Sequence, residues 1–152
     1  MAKTVFVSSC LLGLPTRYDG SGNFSQDVSD YLQQEQLIPI PVCPEQLAGL
    51  PTPRLKCWFR QGTGEDVLSD CGVICDEDDK DVTAAFASAA EESLKIALLT
   101  DCKLAILKQR SPSCGSRMVH QNGQLVNGMG VTAARLKNAG ISVLSEEDLA
   151  AK

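Results

Sequence analysis

Two rhythms of apolar and polar positions run along this chain. Short apolar, β-branched runs recur, and between several of them the spacing widens to that of a helix. Residues 4–8, 37–42, 104–107 and 141–144 read as strands. Pro39 and Pro41 lack amide donors, so the 37–42 strand belongs at a sheet edge or is irregular. Residues 27–35 predict a helix with Ser25 or Asp27 as its cap, and residues 132–138 a shorter one stopped by Gly140. The clearest helix is 82–100, which is alanine-rich and follows Asp81. Phe86, Ala89, Ala90, Ser93, Leu94 and Ala97 recur along it at helical spacing. Residues 57–61 and 72–75 suggest strands or a hairpin around Gly62-Thr63-Gly64. Residues 118–120 and 124–126 flank Gln121-Asn122-Gly123, an Asn-Gly hairpin signal. Residues 9–24, 43–54 and 109–116 hold Gly, Pro or Ser at the density expected of loops. Ser145-x-x-Asp148 is a capping box.

Strands that alternate with helices imply an α/β protein with a mostly parallel sheet. The expected architecture is a single domain over residues 1–152: a three-layer, Rossmann-like fold with small β-hairpin insertions. A chain of 152 residues fits one core. In sheets of this kind ligands bind beyond the carboxyl ends of the strands.

Composition narrows the function classes. Hydrophobic residues make up 43% and charged residues 22%, which is ordinary for a globular domain. Net charge is -5, and eight of the 19 acidic residues lie between Glu65 and Asp81. No basic patch stands out, so nucleic acid is not the expected partner. No apolar run approaches the ~20 residues of a membrane span, and residues 1–7 do not read as a signal peptide. The expected location is the cytoplasm. Seven cysteines are unusual there, and an odd number in a reducing compartment is poorly explained by disulfides.

Three of the cysteines occupy equivalent places. Cys10 follows the first strand, Cys43 the second, and Cys114 lies in the loop after residues 104–107. With those strands parallel, all three thiols converge on one rim. Three thiolates suit zinc or an iron–sulfur cluster, and three protein ligands leave one coordination position open. Burial as small hydrophobes is the alternative for these three, and the expected state of Cys57, Cys71, Cys75 and Cys102, none of which should join the rim. Glu45, two residues beyond Cys43, is a candidate general acid or base. Ser111 and Ser113, just before Cys114, are candidates to relay a proton or hold a substrate. Arg54 and Arg110 are candidates to bind an anionic or carbonyl-bearing substrate. Trp58 could stack on a base. His120 is the only histidine, which leaves a Ser-His-Asp triad without support.

A set of segments now becomes visible in order: Cys10-Leu11-Leu12-Gly13, Arg17-Tyr18-Asp19-Gly20, Cys43-Pro44-Glu45, Pro51-Thr52-Pro53-Arg54, Asp81-Val82-Thr83, Arg110-Ser111-Pro112-Ser113-Cys114-Gly115 and Gly130-Val131-Thr132-Ala133-Ala134. Over residues 5–146 this resembles the family once called domain of unknown function 523, which includes thiouracil desulfidases. The resemblance implies a [4Fe–4S] cluster on Cys10, Cys43 and Cys114. It implies a small thiolated base or nucleoside as substrate, with sulfur replaced by oxygen from water and no net redox change. Glu45 and a serine, Ser111 in preference to Ser113, would handle protons and water. Thr16 stands where family members often carry a cysteine, which favours ligation by three cysteines. Leu55-Lys56-Cys57-Trp58-Phe59 departs from the family's usual Pro and Glu and would reshape the pocket wall. A binding module without catalysis and a metal-free sulfur carrier are the competing readings.

Overall fold

A computed structural model describes residues 3–150. Its main sheet has four strands: β1 (Lys3–Ser8), β2 (Leu37–Val42), β5 (Leu104–Leu107) and β8 (Ser142–Ser145). They lie in the order β2-β1-β5-β8, and every adjacent pair is parallel. The order reverses between β1 and β5, and β2 forms an edge. Pro39 and Pro41 sit opposite Val5 and Val7. Two residues apart, they turn their donor-less nitrogens to the same side of the strand, the outer edge, which needs no donor.

Period-two alternation makes the layers. Phe6, Ala105 and Leu107 face one side and bury against Leu94, Ala97, Ala133 and Leu136. Those residues belong to α4 (Thr83–Leu99) and α5 (Val131–Asn138). Val5, Val7 and Ile106 face the other side, against Val28 and Leu32 of α1 (Gln26–Gln34) and Leu149 of α6 (Glu146–Ala150). Ser25 caps α1, its hydroxyl accepting from the Val28 amide at 3.3 Å. Truncating a buried aromatic such as Phe6 costs about 3–5 kcal/mol, so neither face tolerates a register slip.

Several local expectations are corrected. Residues 9–24 begin with a one-turn 3₁₀ helix, Ser9–Leu12. Residues 43–54 contain α2 (Pro44–Leu47), where Pro44 supplies a pre-set first helical residue. β3 (Cys57–Gln61) and β4 (Val73–Asp76) do pair antiparallel, but no tight turn joins them. A helix, α3 (Gly64–Leu68), lies between, started by the Asp66 carboxylate accepting from the Thr63 amide at 2.8 Å.

The second hairpin is β6 (Met118–Gln121) and β7 (Gln124–Asn127). The two hairpins join through β3 and β6 into a second sheet, β4-β3-β6-β7. Phe59, Ile74 and Val119 of that sheet pack on Phe86 and Ala90 of α4 and Val131 of α5. Among the described residues no helix is long and apolar enough to cross a membrane.

Candidate active site

Each expected thiol leaves a strand of the main sheet at its carboxyl end. Cys10 lies in the 3₁₀ turn after β1. Its carbonyl accepts the amides of Gly13 at 3.1 Å and Asn23 at 2.9 Å, which folds the following loop back over the strand. Gly13 takes φ 91°, a left-handed conformation that a side chain would strain. Cys43 caps α2 and donates its thiol hydrogen to the Thr16 carbonyl at 3.6 Å.

Cys114 sits in a loop braced from two sides. The buried Gln109 side chain holds it from within. Its Oε1 accepts the amides of Ser116 and Arg117 at 3.1 Å, Met118 at 3.2 Å and Arg110 at 3.4 Å. Its Nε2 donates to the Ser116 hydroxyl at 3.0 Å. From outside, the first amides of α5 bond the same loop: Val131 to the Pro112 carbonyl at 2.9 Å and Ala133 to the Ser113 carbonyl at 3.0 Å. Donors that a helix start leaves unpaired thus become clamps. A Cβ on Gly130 would stand 2.4 Å from the Ser113 carbonyl carbon, so only glycine allows this approach.

Cys10, Cys43 and Cys114 line one cavity of about 520 Å³, at the switch in strand order. Glu45, Ser111, Arg54 and Arg110 line it too. Lys108, Arg17 and Lys56 add positive charge, and Glu45 is the only carboxylate among the described residues of the lining. The second sheet supplies a wall through Cys57, Trp58 and His120. Cys57 therefore joins the cavity, contrary to expectation, because it opens β3 in the sheet that forms this wall. Cys75 and Cys102 are buried elsewhere, and Cys71 is exposed.

The serines separate. The Ser111 oxygen accepts the amides of Ser113 at 3.1 Å and Cys114 at 3.2 Å, so its proton remains available for donation. Ser113 does not line the cavity, and its buried hydroxyl finds no partner among the described residues. Arg110 reaches out to Glu147 at 2.7 Å, with both side chains about 40% exposed. The Arg54 side chain is 5% exposed and meets Glu45 at 3.4 Å.

Burial sets the electrostatics. It pushes the Cys10 thiol up to about 11, against the pull of Lys108. It raises Cys114 further, opposed by a hydrogen bond with Ser8. Cys57 goes up to about 12 through burial and the Glu45 charge. Glu45 itself is raised by burial, with Arg54 pulling the other way. A bound metal cation would take the place of the thiol protons. Among the described residues no three His, Cys, Asp or Glu side chains gather as the ligands of a single ion. One tetrahedral zinc would need its sulfurs about 3.8 Å apart. Three thiols around one cavity are the soft donor set that would hold an iron–sulfur cluster.

Gln109 and the role of Gly130 were not legible as site features. Gln109 carries no motif, and its only cue is its place two residues after a strand.

Fold and site together define an α/β protein with a thiol-lined, soft-ligand cavity on its strand rim. The chain belongs to the 2-thiouracil desulfurase family, whose profile matches residues 5–148. It is 38% identical over 148 residues to the uncharacterized protein YbbK of Bacillus subtilis (strain 168), covering 95% of this chain and 97% of that one. Among solved structures it resembles a [4Fe-4S]-dependent thiouracil desulfidase, TudS, with a TM-score of 0.83 and 37% identity. That match covers 98% of this chain and 94% of the other.

Proposed function

We propose that this protein removes sulfur from small thiolated nucleobases or nucleosides, thiouracil to uracil, using a [4Fe–4S] cluster held by Cys10, Cys43 and Cys114. The observation that carries the reading is the meeting of three thiols with one carboxylate in a single cavity. Membership of the family and the likeness to a [4Fe-4S]-dependent desulfidase support it.

When bound, such a cluster supplies Lewis acidity and an open position for sulfur. The net reaction is hydrolytic: thiocarbonyl and water become carbonyl and hydrogen sulfide, and nothing is oxidised or reduced. Glu45 takes a proton from the attacking water and returns it to the base or the departing sulfur. Ser111 donates its free proton to the base and orients it. Ser113 is set aside, because its hydroxyl does not reach the cavity. Arg110, at the mouth, contacts a carbonyl or anionic group of the substrate. Its exposed ion pair to Glu147 is of the weak kind that a ligand displaces.

The test is anaerobic reconstitution, iron and sulfide analysis, and turnover of thiouracil in ¹⁸O-labelled water. The expected result is a brown protein that releases sulfide and labels uracil with ¹⁸O. Iron and sulfide without turnover would favour the binding module instead. Thiols that bind neither would favour the sulfur carrier.

A further inference from the structure

We propose that Arg54 is a positioning residue: its guanidinium holds Glu45 and Cys43 in one fixed relation and does not bind substrate. The inference rests on the desulfidase reading above.

A guanidinium presents five N–H groups in a rigid plane. In Arg54 all five have acceptors. Nε donates to Glu45 Oε1 at 3.4 Å. Nη1 donates to the Thr52 hydroxyl at 2.8 Å and the Pro51 carbonyl at 3.3 Å. Nη2 donates to the Thr16 carbonyl at 2.9 Å and faces the Cys43 sulfur at 3.9 Å. No donor is left for a ligand. The side chain is 5% exposed, so it does not serve solubility either.

The acceptors come from separate stretches of chain. Thr16 lies in the loop after Cys10, Cys43 and Glu45 open α2, and Pro51 and Thr52 follow it. The Arg54 amide adds a bond to the Tyr18 carbonyl at 2.7 Å. Arg54 thus ties the loop behind one ligand thiol to the helix start that carries a second thiol and the carboxylate. Its single bond to Glu45 fixes Oε1 and leaves Oε2 without a partner among the described residues, so one oxygen orients while the other can exchange a proton. Lysine cannot reproduce this, because its three donors share one nitrogen.

The experiment uses full-length, anaerobically reconstituted Arg54→Met, Arg54→Lys and Thr52→Val beside the wild type. Iron per chain, the reduction potential of the cluster, and kcat and KM for thiouracil are measured. The Arg54 variants should keep their iron, lose about tenfold or more in kcat, and change KM by less than about threefold. In Arg54→Met the potential should become more negative, since a donor and a positive charge leave the neighbourhood of a ligand sulfur. Arg54→Lys should not restore kcat. Thr52→Val, which removes one anchor of the guanidinium outside the cavity, should lower kcat less, again at unchanged KM. A raised KM with kcat kept would overturn the proposal in favour of substrate binding. Unchanged kcat and potential would make the contacts incidental and overturn it as well. If Arg54→Met does not fold, Thr52→Val decides by the same two readouts. A wild type that holds iron but does not desulfurate thiouracil would instead overturn the desulfidase reading, and its potential measurement would still separate the two failures.

Discussion

A carboxylate that must take a proton and give it back works best where bulk water is largely excluded and one neighbour holds it still. Glu45, 15% exposed and bonded once by Arg54, has that setting. Glu45→Gln should keep its iron and lose on the order of a hundredfold or more in turnover per cluster. Normal turnover would move the proton chemistry to Ser111. The thiols make a sharper test. Cys10→Ser, Cys43→Ser and Cys114→Ser should each fail to retain iron after anaerobic reconstitution, because a hard hydroxyl replaces a soft thiolate. Cys102→Ser should retain it, since that thiol is buried away from the cavity beside the Thr100 hydroxyl. These residues were legible in the sequence because each thiol follows a strand, and strand ends gather. Arg54 read as a candidate substrate contact, and its packing was not visible there. Its five acceptors come from segments that only the fold brings together.

The loop that carries Ser111 and Cys114 is better understood as part of two elements than as a connection. Gln109 seals it to the end of β5, and α5 clamps it through its first amides. Gln109→Ala would strand several partly buried amides, each costing roughly 1–3 kcal/mol at most when left unsatisfied. With partial relaxation the expected loss is about 3 kcal/mol, measurable by denaturant unfolding of the iron-free protein, together with a lower iron content. Equal stability would mean that α5 alone holds the loop. Most elements were readable from apolar periodicity, and their ends shifted by a residue or so, as at α4. The stretch around Thr63 was misread for a local reason. Thr63-x-x-Asp66 has the same capping pattern as Ser145-x-x-Asp148, but Gly62 and Gly64 beside it spoke for a turn. The joining of the two strand pairs into a second sheet had no local signal, because they meet through one parallel register, Phe59 opposite Gln121.

At the scale of the molecule, burial of several thiols makes stability depend on pH in a definite direction. Cys10 and Cys57 keep their protons in the fold up to about 11 and about 12, while an unfolded thiol releases its proton near 8.5. Between those values the unfolded chain binds fewer protons than the folded one, so the iron-free protein loses stability as pH rises. Below about pH 8 both states are protonated and the effect vanishes. Cys57→Ala should flatten the fall in stability between pH 9 and 11 by up to about 1 kcal/mol per pH unit. An unchanged slope would mean that Cys57 ionises freely in the fold. The strand order carries a consequence of another kind. β5 lies between β1 and β8, and β1 in turn lies between β2 and β5. A chain emerging from the ribosome presents Cys10 and Cys43 early, after the only two main-sheet strands yet made. It lacks the third thiol, and Gly130 and α5, which brace the loop bearing it, arrive later still.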